Sequence, residues 1–333
     1  MASTVNTITG PVDVNELGVT YMHEHLFLLD PQMQHYWPGY QGWDEDEYVN
    51  KTRTALTELN TVHGVRTVVD PTVPGLGRNV RAIARASEGT GINLILATGW
   101  HLRENLPDLF SIPFDDPDAK AAALQALFMR DFEEGMEGTS IKPGVIKCTT
   151  MQAGVTPDIE ALLRASARTH LATGLPIITH TDPHNRSGLL QQAIFAEEGV
   201  DMDAVVIGHC NQATELSYLL ELLDNGTLIG FDQFGFAGPD ASLDAQLDNL
   251  AELCRRGHSP RIVLSNDRLM FQDLFPSEML GMAWPDADVE RPFGQIHTQV
   301  LPGLRDRGVS ESQITDMLTE APRAYFARAE NRT

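Results

Sequence analysis

His23 and His25 flank Glu24 at the end of an apolar, β-rich run that begins at Val19. Side chains alternate along a strand, so the two imidazoles are expected on one face with Glu24 pointing away. Two imidazoles at that spacing can chelate one metal ion. A lone His-X-His is as often incidental as functional, so its meaning depends on its company. Four more polar residues close apolar runs in the same way. Lys147 ends Gly144-Val145-Ile146-Lys147, and His180 ends Ile177-Ile178-Thr179-His180. His209 ends Val206-Ile207-Gly208-His209, and Asp267 ends Leu264-Ser265-Asn266-Asp267. Singly, each has a plainer reading. His180 or His209 could be a hydrogen-bonded core histidine, Asp267 a helix cap, and Lys147 half of a buried ion pair. Jointly they describe a metal site.

The elements that would position them alternate regularly. Strands are expected at Val19–His25, Arg66–Asp70, Asn93–Thr98, Gly144–Thr149, Pro176–His180, Ala204–Cys210, Thr227–Asp232 and Arg261–Asp267. They are almost continuously apolar, as strands buried on both faces should be. Helical spacing fills Glu45–Leu59, Asp118–Gly135, Asp158–Thr173, Ala213–Leu223 and Leu243–Arg256, with a last helix over Ser310–Ala327. Asp116, Thr156 and Asn211 are expected N-caps, and Gly174 and Gly257 mark C-caps. Eight strand–helix units imply a parallel sheet closed into a single-domain (β/α)₈ TIM barrel spanning residues 1–333. Barrel chemistry sits at the C-terminal strand ends, where the six residues fall. A charge or imidazole there is costly unless paired or bound to metal. Gly75-Leu76-Gly77 lacks the third glycine of a dinucleotide loop and reads as a βα turn. The long loop from Asp267 to about Gly294 carries Phe271, Phe275, Trp284 and Phe293, which suits a lid or pocket wall.

Composition narrows the function classes. With 42% hydrophobic and 21% charged residues, the chain reads as globular. It has 24 Lys and Arg against 46 Asp and Glu, a formal net charge of −22. Such a surface repels phosphate backbones and anionic lipid, so a small-molecule substrate is expected rather than nucleic acid or membrane. Cys148, Cys210 and Cys254 form no disulfide framework. Together with a start that is neither basic nor apolar, they point to a cytoplasmic location. Cys148 and Cys210 adjoin candidate ligands, so alternation turns them outward as packing residues.

Taken together, the chain resembles the phosphotriesterase-like lactonases of the amidohydrolase superfamily. The likeness runs over nearly the whole chain. It is carried by Gly18-Val19-Thr20-Tyr21-Met22-His23-Glu24-His25-Leu26, Ala97-Thr98-Gly99, Gly144-Val145-Ile146-Lys147-Cys148, Thr179-His180-Thr181, Phe195-Ala196-Glu197-Glu198-Gly199-Val200 and Val206-Ile207-Gly208-His209-Cys210. The resemblance implies a homodimer and a centre of two divalent metal ions, zinc first, with cobalt, iron or manganese as alternatives. By that pattern His23, His25 and Asp267 hold the more buried ion and His180 and His209 the more exposed one. Lys147, N-carboxylated by CO₂, bridges both together with a hydroxide. A protonated lysine has no lone pair for a metal, whereas its carbamate offers two oxygens. The implied reaction is attack of that hydroxide on a lactone, ester or phosphotriester, with Asp267 moving the proton to the leaving alkoxide.

Two positions depart from the lactonase pattern. His101 follows Ala97-Thr98-Gly99-Trp100 where a tyrosine is usual, and Gln233 stands in Asp232-Gln233-Phe234-Gly235 where an arginine is usual. Trp100, His101, Arg103, Gln233 and Phe234 are therefore the expected substrate pocket. There His101 can meet a substrate oxygen or a metal. Two further readings remain: a metal-free Schiff-base aldolase using Lys147, and a metal-bearing barrel that only binds a ligand.

Overall fold

The structure is a computed structural model, and it describes residues 3–114, 116–234, 241–275 and 293–328. Eight parallel strands follow the expected order. They are β1 (Val19–Tyr21), β2 (Val65–Asp70), β3 (Asn93–Gly99), β4 (Val145–Thr149), β5 (Ile177–His180), β6 (Val205–Ile207), β7 (Leu228–Phe231) and β8 (Ile262–Leu264). Each pairs with its sequence neighbours from β1 to β8. The first and last strands meet through the Met22 N–H, which donates to Leu264 O at 3.3 Å. The result is a (β/α)₈ barrel with the helices outside.

Alternation along the strands builds two apolar layers. Val69, Ile95, Ala97, Val145, Ile178, Val206, Leu228 and Val263 fill the barrel interior. Val68, Leu94, Leu96, Ile146, Ile177, Val205, Ile207, Ile229, Ile262 and Leu264 face the helices. Lys147 lies two residues beyond Val145 and His180 two beyond Ile178, so both inherit the inward face. Cys148 and Cys210 belong to the helix-facing layer, as expected. At the other end, the N-terminal hairpin (Thr4–Thr7 with Gly10–Asp13) and the last helix seal the interior with Val5, Val14, Tyr325 and Phe326.

The helices start and stop largely for the expected reasons. Asp116 caps Pro117–Glu134 through Ala119 N, and Thr156 caps Pro157–Thr173 through Ile159 N, each with proline at the first turn. Gly174 ends the latter in the left-handed conformation. Two details differ. Asn211 is not an N-cap: the chain makes a short 3₁₀ turn at Cys210–Gln212, and the helix begins at Leu216. The last helix opens on the Ser310–Gln313 capping box but contains a π-helical turn at Asp316–Glu320.

His63, at the end of the helix Glu45–His63, stacks on His297 with ring centroids 4.8 Å apart. The Tyr21 hydroxyl and His297 Nδ1 share a hydrogen bond of 2.6 Å. Burial, then His63 and Arg305, lower the His297 pKa to about 4. An unfolded histidine titrates near ~6.5, so the folded state resists this proton. Its stabilising effect is complete above the unfolded value and is lost as pH falls from about 6.5 toward the folded value. The melting temperature of His297→Gln should therefore fall less steeply over that window than the wild type's. Parallel curves would remove His297 from the pH response.

Candidate metal centre

The six expected residues converge at the C-terminal mouth of the barrel, though not all by strand geometry. His23 and His25 lie past the end of β1, which stops at Tyr21. The alternation of one continuous strand therefore does not orient them. Cross-barrel bonds do: His23 N donates to Ser265 Oγ at 2.9 Å, and His25 N donates to Arg268 O at 2.8 Å. From His25 the chain resumes as a short strand, His25–Leu28, paired in parallel with Leu269–Gln272. His209 and Asp267 also lie beyond their strands, at positive φ of 61° and 56°. Non-glycine residues rarely adopt that conformation, and it recurs where surrounding bonds enforce it at functional sites. Here the His209 N–H donates to Asp232 Oδ1 at 2.7 Å and the Asp267 N–H to His23 O at 3.0 Å.

Glu24 points away from the two imidazoles, as expected, but into a bonded nest. It is fully buried. Its Oε1 accepts from Ser265 Oγ, Asn266 N and Asn266 Nδ2, each at 2.8 Å, and its Oε2 from Arg268 N at 2.9 Å. Burial pushes its pKa up to about 8, against the pull of these donors. One buried side chain thus ties the loop carrying Asp267 to the segment carrying His23 and His25.

Three imidazoles are held with the same ring edge turned inward. His23 Nδ1 and His209 Nδ1 each meet an oxygen of Asp232 at 3.0 Å. His25 Nδ1 meets Thr72 Oγ1 at 2.6 Å, and that hydroxyl donates to Asp70 Oδ1 at 2.5 Å. An N–H at each Nδ1 leaves each Nε2 as a bare lone pair. His25 Nε2 then lies 3.3 Å and His23 Nε2 3.8 Å from Asp267 Oδ1. Lys147 Nζ is 2.9 Å from His23 Nε2, and His209 Nε2 is 2.8 Å from His180 Nδ1. Asp232, His23 and His209 also form a compact donor group. Both Asp232 oxygens, however, already accept imidazole N–H groups, so we assign Asp232 to orienting the ligands rather than to ligation.

Burial disfavours the charged form of several of the donors. Burial lowers the pKa of His23, His25 and His180; Lys147 lowers all three further and neighbouring imidazoles lower His25 and His180, while Asp267 and Asp232 pull His23 the other way. Burial likewise lowers Lys147 to about 8, despite Asp267 and Asp232 nearby. Among the described residues no carboxylate lies within ion-pair distance of Lys147, which removes the simple ion-pair reading. Asp232 goes the other way. Burial raises it, but His209 and His23 outweigh that and hold it below the usual carboxylate range. Imidazole nitrogens, an amine and a carboxylate, gathered in one buried space, form a donor set that a divalent cation satisfies. The donor atoms of His23, His25 and Asp267 lie within 4.8 Å of one another.

The expected pocket residues divide. The His101 ring stands edge-on to His180 with centroids 5.4 Å apart, and burial holds its pKa down to about 3. Gln233 Nε2 donates to Asp267 Oδ2 at 2.8 Å, so it touches the centre itself. Trp100 borders the mouth against Phe110, 5.7 Å away. Arg103 sits at the rim with its guanidinium 4.8 Å above the Phe275 ring. Phe234 is 2% exposed and packs in the helix-facing layer with Phe231. In the long loop, Phe271 packs on Trp43 and Tyr48, whereas Trp284 lies outside the described residues. Asp232 and Asp70 were not singled out from the sequence. Both close apolar runs in the sequence, and that signal could have found them.

Comparison with known proteins decides the family. The phosphotriesterase family matches residues 3–326. The chain belongs to it. This makes the protein a metal-dependent hydrolase. It is 40% identical to the phosphotriesterase homology protein of Mycobacterium tuberculosis over 329 residues, covering 97% of this chain and 98% of that one. It is 33% identical to the aryldialkylphosphatase of Saccharolobus solfataricus over 324 residues, covering 95% and 97%. The solved phosphotriesterase structure from M. tuberculosis superposes with a TM-score of 0.89 at 39% identity, covering 98% of each chain.

Asp232→Asn would set an amide N–H against an imidazole N–H and free an Nδ1 that the carboxylate now fixes. A loss of about 10–100-fold in affinity for the first-bound metal is expected by competition with a chelator. Unchanged affinity would contradict the orienting role. Glu24→Gln should lower unfolding stability by about 1.5–3 kcal/mol, because the buried oxygens accept four N–H and O–H groups. Denaturant melts read this directly, and a neutral result would refute it.

Proposed function

We propose that this protein hydrolyses lactones or esters at a centre of two divalent cations, zinc first, with phosphotriester hydrolysis as a side activity. The convergence of neutral imidazoles, a buried lysine of lowered pKa and the Asp267 carboxylate at one barrel mouth carries this reading. His23, His25 and Asp267 would hold one cation and His180 and His209 the other. Lys147 would be N-carboxylated and shared between them. Its lowered pKa favours that reaction, because only the neutral amine adds to CO₂. Bound there, the cations would supply Lewis acidity, making hydroxide available from water near neutral pH and polarising the oxygen of the electrophile.

The chain's own groups do the rest. Asp267 Oδ2 is the proposed proton carrier, taking the proton as the nucleophile adds and delivering it to the leaving alkoxide. The Gln233 amide, donating to that same oxygen, fixes where the proton is held. A neutral amide leaves the pocket without the positive charge of the usual arginine, so uncharged acyl compounds suit it. Trp100, His101 and the Arg103–Phe275 contact border the entrance and would orient the substrate. The relative named aryldialkylphosphatase supports the phosphotriester arm. A homodimer and a cytoplasmic location remain part of the proposal. No described helix is long and apolar enough to cross a membrane.

The test is turnover of γ- and δ-lactones, aryl esters and a dialkyl aryl phosphate by metal-replete protein. Hydrolysis led by lactones or esters is expected. Bound metal with no hydrolysis of any of them would favour a binding role. An imine trapped by borohydride on metal-free protein would favour the aldolase. His209→Ala and Asp267→Asn should each lower kcat by at least about 100-fold while melting near the wild type. Lys147→Ala should lose metal and regain part of it with a short-chain carboxylic acid in the buffer. Wild-type metal content in that variant would overturn the bridge.

A further inference from the structure

The loop after β3 carries three of the expected pocket residues, Trp100, His101 and Arg103, and from Trp100 to Pro107 it has neither helix nor strand. Buried backbone groups in such a segment need partners from elsewhere. At Leu102, which is 3% exposed, one side chain supplies both. The Thr149 hydroxyl accepts from Leu102 N at 3.0 Å and donates to Leu102 O at 2.9 Å. A hydroxyl has one proton to give and lone pairs to receive with, so a single threonine can satisfy both groups.

Thr149 is fully buried at the last position of β4, two residues beyond Lys147 and on the same inward face. β3 and β4 pair in parallel up to Gly99 opposite Lys147. Past that point two grips continue the ladder. Trp100 N donates to Lys147 O at 3.1 Å, and Thr149 takes Leu102. They fall on either side of His101, whose own N–H turns the other way, to Pro74 O at 3.2 Å. Gly99 and Gly75 let the backbones come this close, since a Cβ would lie 1.9 Å from Lys147 O at the first and 2.3 Å from His101 O at the second. The His101 ring is thereby set edge-on to His180, with planes at 87°. Among these ties beside His101, only that of Thr149 runs through a side chain.

We propose that Thr149 is a positioning residue for the substrate: its hydroxyl fixes the Trp100–His101 wall of the mouth, and that wall sets which acyl group fits and how it is aligned. This deepens the hydrolase reading above and rests on it. Without the hydroxyl, the Leu102 N–H and C=O would be buried and unpaired, a state the loop leaves by shifting toward water. His101 adjoins Leu102 and shifts with it. β4 keeps its ladder with β5, from Ile146 opposite Ile177 to Thr149 opposite His180, so Lys147 stays in place.

Thr149→Val keeps the shape of the side chain and loses the hydroxyl. Thr149→Ala serves should the valine variant not fold, and Thr149→Ser restores the hydroxyl. Each is compared with the metal-replete wild type by hydrogen–deuterium exchange of residues 99–106, by bound metal per chain, and by kcat and KM for a γ-lactone and an aryl ester. In the valine variant the segment should exchange at least about 10-fold faster. Its kcat/KM should fall by about 10–100-fold, unequally for the two substrates, with wild-type metal content. The serine variant should match the wild type throughout. Wild-type kcat/KM toward both substrates in the valine variant would overturn the role even where its melting temperature falls, since a merely structural threonine would do that much. Loss of metal would also overturn it, by placing the effect at Lys147. A wild type that hydrolyses neither substrate would overturn the hydrolase reading and the substrate role with it, leaving exchange to report the loop contact alone.

Discussion

The burial of bases together with carboxylates is the constraint on which this site depends. Lys147 is 1% exposed and His23 is fully enclosed, and in such surroundings the charged form of either base is disfavoured. Neutral bases retain lone pairs. The barrel brings several such nitrogens and one carboxylate oxygen to within a few ångströms of each other, where hydrogen bonds such as Lys147 to His23 join them and a cation would take the place of the shared protons. The apolar layers make this possible. Val145 and Ile178 fill the floor below Lys147 and His180, so water cannot relieve the crowding from beneath.

A shell of buried carboxylates makes that arrangement directional. Asp232 fixes two imidazoles, Asp70 fixes a third through Thr72, and Glu24 fixes the loop that presents Asp267. A barrel strand end alone leaves an imidazole free to turn about its bonds, and either ring nitrogen can carry the proton. An acceptor at Nδ1 removes both freedoms. The left-handed backbone at His209 and Asp267 is sustained by the same shell, since Asp232 takes the His209 N–H and Glu24 grips both neighbours of Asp267.

What was legible in the sequence follows from this division. The apolar runs and their closing residues revealed the barrel order and all six converging groups, because interior alternation has a period that sequence records. Asp232 and Asp70 close runs too, yet their role lies in what their oxygens touch across the barrel. Glu24 was legible only as pointing away. Its contacts come from a segment more than two hundred residues distant, which no local pattern encodes. The orientation of His23 and His25 was anticipated for the wrong reason. The strand ends at Tyr21, and bonds from β8's trailing loop do the aiming. Phe234 looked like pocket lining because aromatics in βα loops often are, but a helix-facing apolar neighbourhood claimed it.

The departures from the lactonase pattern acquire a common sense in this geometry. Gln233 reaches Asp267 and His101 reaches His180, so both altered side chains touch the centre itself rather than the far wall of the pocket. Substitutions in the outer pocket change which molecule fits. Substitutions against the ligands change how the centre holds its charge, and therefore act on every substrate at once. In this chain the pocket's chemistry and the centre's chemistry cannot be varied separately. On the proposed reading, the Arg103–Phe275 contact and Trp100 would form the outer rim against which the substrate fits.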